Sequence, residues 1–124
     1  MVGQKRTLLN GCSLHLYRDP ITPAVTDTAA TYTGHETTGT GYAPQPITSF
    51  GAAYLNASGQ GQTDSGQFTF TPTGTAAPWT IYGFYILDPA NALVGAWRDP
   101  AGPVVLNSPA QSYLVNISVL DSAM

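Results

Sequence analysis

The stretch Trp79–Arg98 (W-T-I-Y-G-F-Y-I-L-D-P-A-N-A-L-V-G-A-W-R) constrains the fold more than any other part of the chain. Its first arm, Trp79–Leu87, is β-branched, aromatic or aliphatic at nearly every position, as a strand covered on both faces must be. Alternation places Trp79, Ile81, Gly83, Tyr85 and Leu87 on one face and Thr80, Tyr82, Phe84 and Ile86 on the other. Asp88-Pro89-Ala90-Asn91 stops this arm, because Pro89 cannot donate to a ladder and Asp and Asn bond back to local backbone in turns. Ala92–Arg98 carries the chain back, so the stretch is expected to be a hairpin. Gly83, between Tyr82 and Phe84, marks a close approach of another group to the backbone.

The rest of the chain follows the same habit. Residues 1–11 form an N-terminal arm with an apolar patch at Leu8-Leu9 and a turn signal at Asn10-Gly11. In Cys12–Arg18, alternation turns Cys12, Leu14 and Leu16 to the core and Ser13, His15 and Tyr17 the other way, with His15 expected to be exposed or at a subunit contact. Thr26 or Asp27 can cap one helical turn through Thr31. The Thr- and Gly-rich residues Tyr32–Gly41 predict an exposed loop, with a brief edge strand at Thr31–Thr33. Pro44 and Pro46 make the next segment an edge. Strands are expected at Ile47–Leu55, Gln67–Thr71 (Phe68 and Phe70 inward), Val104–Leu106 and Ser112–Leu120, with Asn56–Ser65 a polar loop. In the last of these, Tyr113, Val115, Ile117 and Val119 share a face. Seven or eight short strands with regular turn signals predict one all-β domain over residues 12–124, an antiparallel β-sandwich or jelly roll.

The residues capable of chemistry are few and scattered. Among 124 residues only 9% are charged, against about 25% in an average chain, and the net charge is −3. Such a balance argues against nucleic acid as a partner and favours a surface covered by neighbours. Nearly every acid sits at a turn, and Asp19-Pro20, Asp88-Pro89 and Asp99-Pro100 repeat one strand-ending device. His35-Glu36 is an adjacent His/acid pair without visible further ligands or a nucleophile. Cys12, the single cysteine, has no nearby group to activate it and fits a small core residue. Asn56-Ala57-Ser58 and Asn116-Ile117-Ser118 match the glycosylation triplet. No apolar run follows Lys5-Arg6 as in a signal peptide, and none has the length of a membrane span, so both triplets are taken as chance and folding is expected in a cytosol. No catalytic residue, metal site, cofactor or small-molecule substrate is expected. The seven Tyr and two Trp suit core and subunit contacts, or the stacking of sugars. Lys5, Arg6, Leu8, Tyr17, Tyr42, Tyr82, Trp97 and Tyr113 are the candidate contact residues.

The run Trp79–Asp88, followed by Ala90-Asn91-Ala92-Leu93-Val94, resembles a family of small virion proteins of tailed bacteriophages, in which a T-I-Y-G-Y-Y-V-x-D strand leads through a short turn to L-L-W-A-E-R. Phe68–Thr71 with Thr73-Gly74, and Leu14–Tyr17 with Ile21-Thr22-Pro23, are also similar. Where the family carries Trp, this chain has Gly95, and Trp97 stands two positions on, on the same strand face. The resemblance implies a capsid cement or decoration protein on the outer surface of the virion, made in the host bacterial cytoplasm and not secreted. Its implied partners are the major capsid protein and copies of itself, in a closed trimer by analogy. A tail or fibre module binding host glycan through exposed aromatics is the alternative, and a small β-fold hydrolase the third.

Overall fold

The computed structural model describes residues 11–47, 54–59, 61–64, 66–74 and 78–121, and within them the fold is antiparallel and nearly all β. The main sheet has the order β2 (Gln45–Pro46), β1 (Ser13–Tyr17), β7 (Gly83–Leu87), β8 (Leu93–Arg98). The expected hairpin is β7–β8. The Asp88 carboxylate accepts the N–H groups of Ala90 and Ala92, both at 2.9 Å, and Asn91 takes φ 65°. Asn tolerates this left-handed conformation at low cost.

Both faces of the main sheet are covered. On one, Leu14, Leu16 and Ile86 join a core with Phe70, Trp79, Ile81, Leu106 and Val115. Those partners come from two short ribbons, β5 (Phe68–Phe70) with β10 (Tyr113–Val115), and β6 (Trp79–Ile81) with β9 (Val104–Leu106). The result is sandwich-like. On the other face, Tyr17, Tyr85 and Leu87 form a second core with Tyr32 of helix α1 (Ala29–Thr33), with Ile21 and Ala29 packed against it. A further sheet orders β11 (Ser118–Asp121), β4 (Gly61–Asp64) and β3 (Tyr54–Leu55).

Several sequence expectations change. Trp79–Leu87 is two strands, not one. The chain breaks at Tyr82, whose N–H donates to the Tyr17 carbonyl and whose carbonyl accepts from Asp99. The alternation slips there: Trp79 and Ile81 enter the first core, Tyr85 and Leu87 the second. Ser112–Leu120 likewise divides into β10 and β11, which pair with different strands, although Val115 and Ile117 are both buried as expected. Asn56–Ser65 is not simply a loop, since it contains β4. Thr31–Thr33 is helical, and α1 starts after Thr28, whose N–H donates to Thr31 Oγ1. Asp27 instead accepts from the Ala24 N–H and the Tyr32 hydroxyl. Within the supposed exposed loop, Thr37 is buried and donates to the Thr80 carbonyl. Most of Ile47–Leu55, and residues 1–10 of the arm, lie outside the described residues; Gly11 already belongs to the domain, donating to the Ile47 carbonyl.

Gly83 is the close approach that its position implied. A Cβ there would run into the Trp97 carbonyl oxygen and lie 2.6 Å from the Tyr17 hydroxyl. The first obstacle is backbone and cannot swing aside. Gly83→Val should therefore destabilise the fold by roughly 2–4 kcal/mol, a fall in Tm on the order of 10 °C. Thermal unfolding followed by circular dichroism checks it; an unchanged Tm would refute the crowding at this crossing.

Candidate functional site

Two places concentrate what this chain can do: a polar node beside β1 and an open edge at β8. The node begins with the residues 35–37, which run alongside the end of β1 where β2 stops. Arg18 donates its N–H to the His35 carbonyl, and Thr37 donates to the Leu16 carbonyl. This register sets Glu36 opposite Tyr17 and within reach of His15. His15 Nδ1 lies 2.6 Å from Glu36 Oε2, and the Tyr42 hydroxyl donates to the same oxygen at 2.7 Å. The Tyr42 oxygen in turn accepts the Leu16 N–H at 2.9 Å. His15 stacks on Tyr85 with centroids 4.8 Å apart, and Tyr85 stacks on Tyr32. The expected exposed or intersubunit His15 is thus buried, at 8% exposure, because the sheet face it occupies is itself covered.

Electrostatics follow from that enclosure. Burial alone would raise the Glu36 carboxyl, but hydrogen bonds from His15 and Tyr42, the charge of His15 and nearby Tyr85 outweigh it and hold its pKa below the ordinary value. Burial and the adjacent Glu36 push the hydroxyls of Tyr42 and Tyr85 far above the usual phenol range. The Tyr85 hydroxyl is buried and feels Glu36, yet closes no hydrogen bond of ordinary geometry.

Ser13 Oγ lies 2.7 Å from His15 Nε2, so Ser13, His15 and Glu36 are connected in the order of a Ser-His-acid relay. The rest of a nucleophilic site does not accompany them. Ser13 is the first residue of β1, paired with Pro46 on one side and Leu87 on the other, rather than on an exposed strained turn. An oxyanion needs preorganised free N–H groups. Here the strands on both sides of Ser13 are in ladders, and Pro46 has no N–H to offer. A cleft of about 460 Å³ next to the node is lined by Arg18, Glu36, Thr37 and Tyr42, but by neither Ser13 nor His15. Among the described residues no three His, Cys, Asp or Glu side chains gather as metal ligands. Cys12 is buried, with its pKa raised by burial and by Asp88. Bonded in this way, Ser13, His15 and Glu36 act as a clamp that ties residues 35–37 to β1.

The binding candidates are apolar and lie on strand edges and outward faces. Val25, Tyr54, Leu55, Val94, Trp97, Val105 and Leu114 are exposed. Of the contact residues expected from sequence, Trp97 is 47% exposed, on β8. Its ring stacks on Phe84 at 4.9 Å and covers Gly95, where an added Cβ would come within 2.7 Å of it. The Trp two positions on does occupy the space over Gly95. Tyr82 is partly buried, its ring 5.5 Å below the Arg98 guanidinium. Tyr42 and Tyr113 are partly buried and tied to Glu36 and Asp99. Tyr17 is wholly buried, so its expected place at an intersubunit contact is corrected: its ring packs edge-on against Tyr32 inside the domain. Lys5, Arg6 and Leu8 lie outside the described residues. Sequence reasoning missed Val94 and Leu114; alternation puts Leu114 opposite buried Val115, whereas the exposure of Val94 depends on β8 being an edge.

No family model matches the chain, and neither the curated proteins nor the solved structures searched give a match.

Two outcomes are expected. Because the folded pKa of Glu36 lies below its unfolded value of about 4.3, its contribution is complete above that pH and lost as pH falls through the folded value. Glu36→Gln should cost about 1–2 kcal/mol at neutral pH and flatten the loss of Tm on acidification; equal acid slopes for both proteins would refute the clamp. A fluorophosphonate probe should leave Ser13 unmodified by mass spectrometry, and stoichiometric labelling abolished in His15→Ala would instead make the relay a nucleophilic site.

Proposed function

We propose that this chain is a structural component of a tailed-bacteriophage virion: a cement protein that binds the outer capsid surface, clamps neighbouring major capsid subunits and stabilises the head. The observation that carries this reading is a coincidence of place. The Trp79–Arg98 stretch that resembles phage virion proteins also supplies a sheet edge that pairs with no further strand among the described residues, with half-exposed Val94 and Trp97. A chain in which only 9% of residues are charged supports the same reading, because contact with neighbours removes the need for solvation.

The mechanism is burial, not catalysis. A cement protein covers area across joints that would separate under the pressure of packaged DNA. A standard interface buries ~1,600 Å², and symmetric repetition adds avidity without any new kind of contact. Its partners are the major capsid protein and further copies of itself, in a closed trimer if the analogy with other decoration proteins holds. It works without cofactor, metal, nucleic acid, membrane or small-molecule substrate. It is made in the host cytoplasm and acts in the virion.

Imaging purified particles that carry a labelled copy tests this. Copies on the order of hundreds over the icosahedral shell are expected from a symmetric lattice, and stripping them should lower the temperature at which DNA escapes. A few copies on the tail would favour a glycan-binding tail module, for which the half-exposed rings of Tyr54 and Trp97 are the stacking candidates. Absence from the particle would overturn both.

A further inference from the structure

We infer that the free edge of β8 pairs, antiparallel and across a two-fold axis, with β8 of a second copy of this chain. The two edges of the main sheet are treated differently. At the β2 edge, Pro46 stands opposite Ser13 and Pro44 precedes it, and proline has no N–H to offer an incoming strand. At the other edge β8 is the longest described strand, hydrogen-bonded in a sheet only to β7, with no proline and no charge from Leu93 to Trp97. Natural proteins guard such edges with charges, prolines, bulges or covering segments. β8 has a bulge at Val94, which leaves Gly95–Arg98 in regular register with β7, and one charge, Arg98, at its very end.

The occupant follows from what surrounds the edge. A cleft of about 340 Å³ runs beside β8, lined by Pro23, Ala24, Val25, Asp27 and residues 93–96, and Val25 is fully exposed at its rim. Its one acid, Asp27, lines it together with residues 93–96, a stretch of the strand that does not include Arg98. The one base, Arg98, ends the strand, exposed, over the Tyr82 ring and 3.3 Å from Thr22 Oγ1. An antiparallel second copy brings its Arg98 against residues 93–96, toward Asp27, and the two-fold axis repeats the pair on the other side. The same operation brings Val94 and Trp97 of each copy to the shared edge. A two-fold contact requires this kind of self-complementarity. Unpaired backbone groups on both edges supply the ladder, and the apolar side chains supply the area.

This rests on the assembly reading and names one partner, with a two-fold dimer in place of the closed trimer taken by analogy, yet the pairing and the capsid role fail separately. A monomer that still decorates capsids would overturn the pairing alone, while a dimer absent from virions would overturn the capsid role alone. The test is sedimentation equilibrium on the full chain, with the β fold of each variant checked by circular dichroism. The wild type should reach twice the 13.0 kDa protomer mass. Val94→Lys and Arg98→Glu should each weaken association by about tenfold or more. Should Val94→Lys fail to fold, the exposed Arg98→Glu carries the comparison alone. A wild type that stays monomeric at high micromolar concentration, a trimer, or a dimer indifferent to the folding variants would overturn the inference.

Discussion

The crossing at Gly83 is the contact on which the rest of the architecture depends. There, a residue without a side chain lets β7 pass beneath the Trp97 carbonyl and against the Tyr17 hydroxyl. That hydroxyl lies 3.3 Å from the carbonyls of both Trp97 and Ile21, so it ties the end of β8 to the segment leading into α1. Just before it, Tyr82 holds Tyr17 of β1 and Asp99, the residue after β8, through backbone bonds while β6 leaves for another sheet. One apolar run thereby serves both cores. Trp79 and Ile81 fill the first, and Tyr85 and Leu87 the second.

Among the described residues, the few charges have local duties. Asp88 and Asp99 accept backbone N–H groups two residues on, the bonding that Asp-Pro at a strand end foretells. Both histidines pair with carboxylates at 2.6 Å, His15 with Glu36 and His35 with Asp19. These pairs secure both ends of the segment that covers the second core. Their energetic weight differs. The His35–Asp19 pair is nearly half exposed and worth little, whereas His15–Glu36 is mostly enclosed and would leave a buried polar group unsatisfied if broken.

The legible part of the fold is what depends on neighbours in the chain. The β7–β8 hairpin, its Asp-Pro turn, the inward Leu14 and Leu16, and the closeness at Gly83 all follow from residue type and spacing. Sheet membership is not local, which is why Trp79–Leu87 and Ser112–Leu120 could be recognised as extended but not as divided between sheets. The polar node was illegible for the same reason. His15 and Glu36 are 21 residues apart, and only the pairing of residues 35–37 beside β1 brings them together. His15 alternates with buried residues, and nothing in that pattern says that the opposite face will be covered as well.

The asymmetry between the two sheet edges bears on what kind of assembly such a chain can form. An open edge that met a complementary open edge elsewhere on the same chain would propagate, copy after copy, into a filament. Pro46 at the β2 edge prevents β8 from adding there in regular register. An edge that pairs with its own kind across a two-fold axis consumes itself on pairing and leaves neither copy's β8 free. The bulge at Val94 narrows the choice further by breaking the flat ladder that unspecific strands would extend. Polarity at the rim adds direction, since Asp27 lines the cleft beside residues 93–96 while Arg98 ends the strand, and an antiparallel copy sets its Arg98 against that stretch. A parallel copy would set acid beside acid and base beside base. A chain this poor in charge can therefore keep an apolar edge without aggregating, provided that the edge closes on a single antiparallel partner.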